Sequence, residues 1–193
     1  MLKRQGSGSC GAAFFVDLMK LQPKKNAASH DVVFTPRPLS KRIIDHFAPH
    51  GRVLDPCKGD GSFYDQFPSN CQPLWCEITQ GVNFFDFKER VDWIVSNPPY
   101  SIFRKFLLHS MTIADDIVFL ITCNHVWTKA RLRDIRAAGF GIKEIYCVDT
   151  PRNFPQGGFQ YAAVHVRRGW TGDIALSFDE EVGRADRRQP TFF

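Results

Sequence analysis

Asn97-Pro98-Pro99-Tyr100 follows directly on the apolar run Val91-Asp92-Trp93-Ile94-Val95-Ser96. Two successive prolines remove two backbone donors and restrict the residues before them, so the run reads as a buried strand that stops in a rigid loop. Such a loop can hold the Asn97 side chain and the carbonyls beside the prolines as two acceptors aimed at one point. The Tyr100 ring would form a flat apolar wall next to them. This combination suits a planar group that carries an NH2; the competing reading is a strand end followed by an ordinary proline turn.

Val53-Leu54-Asp55-Pro56-Cys57-Lys58-Gly59-Asp60-Gly61-Ser62-Phe63 is the second informative stretch. A short apolar strand runs into Asp55. Gly59 and Gly61 then let the backbone turn tightly and come close to a ligand before a predicted helix. The stretch is neither the dinucleotide fingerprint nor a phosphate loop, since Lys58 precedes Gly59 and no G-K-[ST] follows. About twenty residues beyond the turn, Leu74-Trp75-Cys76-Glu77 reads as a strand with an acid at its carboxyl end, where such an acid reaches ribose hydroxyls. A solvated strand-end glutamate is the alternative. Asn83-Phe84-Phe85-Asp86-Phe87 reads as a short strand or turn that brings a further acid.

The elements that must position these residues follow from periodicity. Leu39, Ile43, Ile44 and Phe47 keep helical spacing and predict a helix over about 36–47, with Thr35 as N-cap and Pro36 as its first residue. Phe103, Phe106, Leu107 and Met111 predict another helix, and 117–121 is a fully apolar strand. A helix over 125–138 carries Lys129, Arg131, Arg133 and Arg136, a face that reads as solvated ahead of a nucleic-acid footprint. Strands follow at 142–148 and 159–166, separated by the Pro- and Gly-rich loop 150–158, with an edge strand at 173–178. Strands alternating with helices, then a final strand pair, predict an α/β fold with an open, mostly parallel sheet covered on both faces. Ligands in such sheets sit outside the carboxyl ends of the strands, which puts Asp55, Glu77, Asp86 and Asn97 on one rim.

A chain of 193 residues, 44% hydrophobic and 23% charged, fits one ordinary globular domain. Its formal charge of +5 raises the prior for a polyanionic partner. The six cysteines lack zinc spacing and read as reduced, mostly buried thiols, and no stretch approaches membrane-spanning length. The expectation is a cytoplasmic protein with no metal and no membrane association. Residues 1–29 read as an N-terminal extension with a short apolar patch around Phe14, Phe15, Leu18 and Met19, residues 30–178 as the folded domain, and 179–193 as a basic, aperiodic tail.

Taken in order, Phe34-Thr35-Pro36, Asp55-Pro56-Cys57-Lys58-Gly59-Asp60-Gly61, Asp86-Phe87, Asn97-Pro98-Pro99-Tyr100 and Phe154-Pro155-Gln156 resemble the S-adenosylmethionine-dependent amino-methyltransferases. The likeness is to DNA adenine-N6 methyltransferases of the γ motif arrangement. It implies a Rossmann-like class I methyltransferase domain with S-adenosyl-L-methionine as cofactor. It further implies that Thr35, Pro36, Asp55, Cys57, Gly59, Gly61 and Asn97 surround the cofactor, that Glu77 holds its ribose, and that Asp86 with Phe87 contacts its adenine ring. Asn97 and the Pro98 carbonyl would accept hydrogen bonds from the target amino group, and Tyr100 with Phe154 would sandwich a target base that is flipped out or single-stranded.

Lys58 departs from the small residue usual at its position and is expected to point to solvent. No target-recognition domain of the usual size is evident. Specificity would then be low, or supplied by loop 150–158, by a partner or second copy, or by a structured RNA. DNA is the favoured substrate ahead of RNA. Cytosine-N4 and guanine-N2 remain alternatives, as does a binding subunit that keeps the fold without the chemistry. Cys57 reads as a packing residue, not a nucleophile.

Overall fold

The computed structural model describes residues 33–155 and 158–182. The apolar patch expected near Phe14, Gln156 of the last motif, and the tail arginines Arg184, Arg187 and Arg188 lie outside the described residues.

Helix α1 (Arg37–Phe47) buries Leu39, Ile43, Ile44 and Phe47, the stripe expected from their spacing. Its cap differs by one residue from the expectation. Pro36, with ψ 131, is the N-cap, and its carbonyl accepts from Leu39 and Ser40. Thr35 does not cap, because its hydroxyl is engaged with Asn97.

Strands β1 (Gly51–Asp55), β2 (Cys71–Trp75), β3 (Trp93–Ser96), β4 (Asp116–Thr122), β5 (Phe140–Cys147), β6 (Tyr161–Arg168) and β7 (Ala175–Phe178) form one sheet in the order β2-β1-β3-β4-β6-β5-β7. β6 runs antiparallel to both neighbours, whereas the other adjacent pairs are parallel. Successive residues of a strand point to opposite faces. Val53, Val95, Val118 and Leu120 accordingly meet α1 on one face. Leu54, Ile94, Ile117, Phe119 and Ile121 face the other way, onto helices α2 (Phe103–Ile113) and α3 (Lys129–Ala137). Phe103 is buried at the start of α2 beside the candidate loop. Truncating a side chain of that size in a core costs about 3–5 kcal/mol.

Two further segments depart from the expected elements. No α-helix follows Gly61; the chain makes only a 3-10 turn, Tyr64–Gln66. There Asp60 takes the Ser62 amide in a side-chain turn, and Pro68 arrives too soon for a second helical turn to form. Of the strand or turn expected at 83–87 the chain takes the turn, a 3-10 turn Phe84–Asp86 capped by Asn83. The basic helix begins later than expected, at Lys129, because Cys123–His125 is a separate 3-10 turn and Thr128 provides the N-cap.

Candidate active site

Chain order reverses at β1, which has β2 on one side and β3 on the other. The crevice at such a switch point is where open α/β sheets bind ligands. Asp55 ends β1 there and Asn97 leaves β3 there.

Asn97 is oriented by three partners. Its Nδ2 donates to the Val33 carbonyl at 3.1 Å and to Thr35 Oγ1 at 3.2 Å, and its Oδ1 accepts from the Tyr100 hydroxyl at 3.1 Å. The reversed amide would set its carbonyl against the Val33 carbonyl, acceptor to acceptor, so this assignment is the favoured one. One lone pair of Oδ1 remains beyond the Tyr100 bond. The Asn97 backbone carbonyl accepts from Cys57 Sγ at 3.3 Å, and the buried Pro98 anchors the loop.

Behind the loop, Ser96 Oγ donates to Asp55 Oδ1 at 2.6 Å and lies 3.0 Å from Cys57 Sγ. Burial pushes the Asp55 carboxyl up to about 7, against the opposing hydrogen bonds from Ser96 and the Cys57 amide. Burial, helped by the nearby Asp55 charge, also holds the Cys57 thiol well above its ordinary range. Cys57 is therefore kept as a neutral donor, the wrong state for a nucleophile.

The glycine turn closes the other side. Gly59 has φ +54, and a Cβ there would lie 3.1 Å from the Phe34 ring. Its amide donates to Glu77 Oε2 at 2.8 Å, while Glu77 Oε1 accepts from the Thr79 amide and hydroxyl at 3.0 and 2.7 Å. Burial alone would raise the Glu77 carboxyl, but these bonds outweigh it and hold the group below the usual glutamate value. Glu77 is thus anionic at neutral pH. Lys58 does not simply extend into solvent: its ammonium sits over the rings of Tyr64 and Trp75 at 4.7 and 4.9 Å.

A cavity of about 290 Å³ lies among Phe34, Cys57, Gly59, Glu77, Ile78 and Asn97, and a smaller one beside it reaches Thr35 and Asp60. Phe34 and Ile78, 50% and 69% exposed, give it apolar walls. The structure therefore brings Thr35, Cys57, Gly59, Glu77 and Asn97 together around two adjoining cavities. Asp55 is linked to Cys57 through Ser96, Gly61 turns against Asp65, where a Cβ would come within 2.6 Å of the carboxylate, and Pro36 caps α1 next to Thr35.

Other expected residues stand apart from that cavity. Asp86 is exposed and accepts from Asn83 Nδ2 at 3.2 Å, and Phe87 packs against the core with its carbonyl 2.9 Å from His109 Nε2. Phe154 is only 3% exposed and meets Tyr161 edge-on at 5.1 Å, while Tyr100 lies 6.2 Å from the same ring. A larger cavity of about 420 Å³ opens at the opposite end of the sheet around Trp170, away from all of these groups.

Sequence reasoning missed Phe34 and Ile78 as walls, Ser96 as the link between Asp55 and Cys57, and His125, whose ring lies 5.6 Å from that of Tyr100. Only Thr79 left a local signal, a hydroxyl residue two positions after an acid at a turn.

No protein-family model and no curated protein matches the chain. Solved structures resemble it in fold. A Listeria monocytogenes protein assigned to the class I S-adenosylmethionine-dependent methyltransferases superposes with a TM-score of 0.59 at 10% identity, over 84% of this chain and 71% of the other. The 23S rRNA methyltransferase ErmE gives 0.56 at 15% identity, over 73% of each chain. A Vibrio vulnificus YJ016 protein assigned as a modification subunit of a type I restriction enzyme gives 0.52 at 13% identity over 84% of this chain. The chain spans about half, 49%, of that subunit's length. The seven-stranded sheet with its single reversed strand and its ligand crevice at β1 and β3 is the fold of the class I S-adenosylmethionine-dependent methyltransferases.

Proposed function

We propose that this protein transfers a methyl group from S-adenosyl-L-methionine to the exocyclic amino group of a nucleic-acid base, N6 of adenine in DNA before RNA. The observation that carries the reading is Asn97, which lines a 290 Å³ cavity and is locked through Nδ2 with its carbonyl oxygen turned to the Tyr100 hydroxyl.

The cavity suits the cofactor in several respects. The glycine turn brings bare backbone to its edge, Glu77 is held anionic for a hydroxyl-bearing sugar, and Phe34 with Ile78 offers apolar walls to a ring. When bound, S-adenosylmethionine supplies an electrophilic methyl on a sulfonium. An exocyclic amine delocalises its lone pair into the ring and is a poor nucleophile. Asn97 Oδ1 and the Pro98 carbonyl, accepting from its two hydrogens, favour a pyramidal nitrogen and stabilise the positive charge that develops on it. Held there, the cofactor would give up its methyl to the amine nitrogen and leave as a neutral thioether, and the nitrogen would release one proton to solvent. Tyr100 stacks on the base, which must leave a duplex or already be unpaired to reach it. Fold neighbours that include a modification subunit of a type I restriction enzyme and a 23S rRNA methyltransferase support a nucleic-acid substrate and leave both polymers in view.

The test is transfer of labelled methyl to unmethylated duplex DNA, single-stranded DNA and total RNA in parallel, followed by nucleoside mass spectrometry. N6-methyladenine in DNA is the expected product. Label only in RNA would move the substrate to RNA, and label in none of them with cofactor still bound would contradict the reading.

A further inference from the structure

The segment after β4 carries a second set of groups beside the candidate site. His125 packs against Tyr100, with its Nδ1 2.6 Å from Thr122 Oγ1. Val126 is buried and fixes the segment to the core. The next residue, Trp127, is nonetheless 46% exposed.

Helix α3 starts at Lys129, just beyond Trp127, so its first turn belongs to the same rim as Asn97. Lys129, Arg133 and Arg136 are exposed at i, i+4 and i+7, one stripe about 10 Å long. Several cations elsewhere are matched by acids: Arg37 pairs with Asp65, Arg42 with Asp179, and Arg90 and Arg168 both with Asp115. By contrast, none of the three stripe residues makes a salt bridge among the described residues. The one acid of the helix, Asp134, is held by Arg104 through contacts of 2.7 and 3.1 Å. An exposed indole next to an unmatched cationic stripe is the complement of a polymer with flat apolar rings and a repeated anion.

Building on the proposed function, we propose that Trp127 and the Lys129–Arg133 face form the docking surface for the nucleic-acid strand that carries the target base. Trp127 stacks on an unpaired neighbour of that base, and Lys129 and Arg133 contact backbone phosphates. The target strand then runs from Tyr100 past His125 onto the start of α3.

The test uses the full chain and fluorescently labelled single-stranded DNA and RNA of one sequence, with affinity followed over a salt series. Charge reversal at both positions, Lys129→Glu with Arg133→Glu, lowers affinity more than about tenfold. The neutral pair Lys129→Gln with Arg133→Gln lowers the slope of log affinity against log salt by about 1.4, two phosphate contacts' worth. Trp127→Ala weakens binding by roughly tenfold with the slope unchanged, as loss of one stacked base requires. All variants keep the cofactor affinity and melting temperature of the wild type. Variants that bind both polymers with wild-type affinity and slope, while the wild type still methylates adenine, overturn the docking surface alone. Variants that lose binding when no methyladenine forms leave the surface standing and remove the adenine reading. A wild type that binds neither polymer removes both.

Discussion

The side-chain amide of Asn97 lies 3.2 Å from the hydroxyl of Thr35, a bond between groups 62 positions apart that ties the start of the domain to the end of β3. Thr35 is thereby a positioning residue for Asn97, since without that acceptor one of the two Nδ2 donors loses its partner. Thr35→Val should lower the turnover number about tenfold and leave the KM for cofactor close to wild type, the loss expected when a reacting group's support is loosened. Thr35→Ser should restore most of the activity. Equal loss in both variants would assign Thr35 a packing role.

Tyr100 combines a hydroxyl bond to Asn97 with an aromatic face. Tyr100→Phe keeps the face and should cost only a few-fold in turnover. Tyr100→Ala loses it, and the KM for nucleic acid should rise about 10- to 100-fold, the worth of one stacked base. Unchanged substrate kinetics in the alanine variant would argue against stacking.

Gly59 and Gly81 both hold positive φ, +54 and +79, but only Gly59 has a neighbour, the Phe34 ring, within reach of an added Cβ. Alanine at either position carries a left-handed penalty of about 1–2 kcal/mol. Gly59→Ala should in addition displace Phe34 and weaken cofactor binding about tenfold, whereas Gly81→Ala should lower stability alone. Calorimetric titration with S-adenosylmethionine separates the two.

Asp55 titrates near 7 in the folded protein, through burial, and near its ordinary 3.8 when unfolded. Between those values the folded state binds more protons, so this group's contribution to stability is greatest at low pH and is lost as pH rises towards 7. Asp55→Asn cannot ionise and should flatten the fall in stability across that window. Denaturant midpoints measured from pH ~4.5 to ~7.5 check the slope; identical slopes in both proteins would mean that Asp55 is ionised throughout.

Much of this arrangement was legible in the sequence because the informative groups sit at strand ends. Alternating faces in β1, β3 and β4 located the core, and proline and glycine marked where Asn97 and Gly59 leave the sheet. What was hidden depends on contacts between distant segments. Thr35 looks like a helix cap until Asn97 is placed beside it, and Pro36 then takes the cap. The 3-10 turn after Gly61 reflects side-chain capture of the Ser62 amide by Asp60, which competes with a helical start. His125 beside Tyr100 follows from the pairing of β3 with β4 and has no local sequence signal.

The central claim is that the Asn97 carbonyl acts on the target amine and not on the cofactor's grip. The direct measurement compares wild type and Asn97→Ala for methyl transfer to unmethylated DNA by nucleoside mass spectrometry, with cofactor affinity measured on the same samples. Transfer should fall by about a thousandfold or more, the scale of losing a preorganised acceptor at the reacting atom, while cofactor affinity changes less than about threefold. Transfer comparable to wild type in the Asn97→Ala protein would contradict that claim.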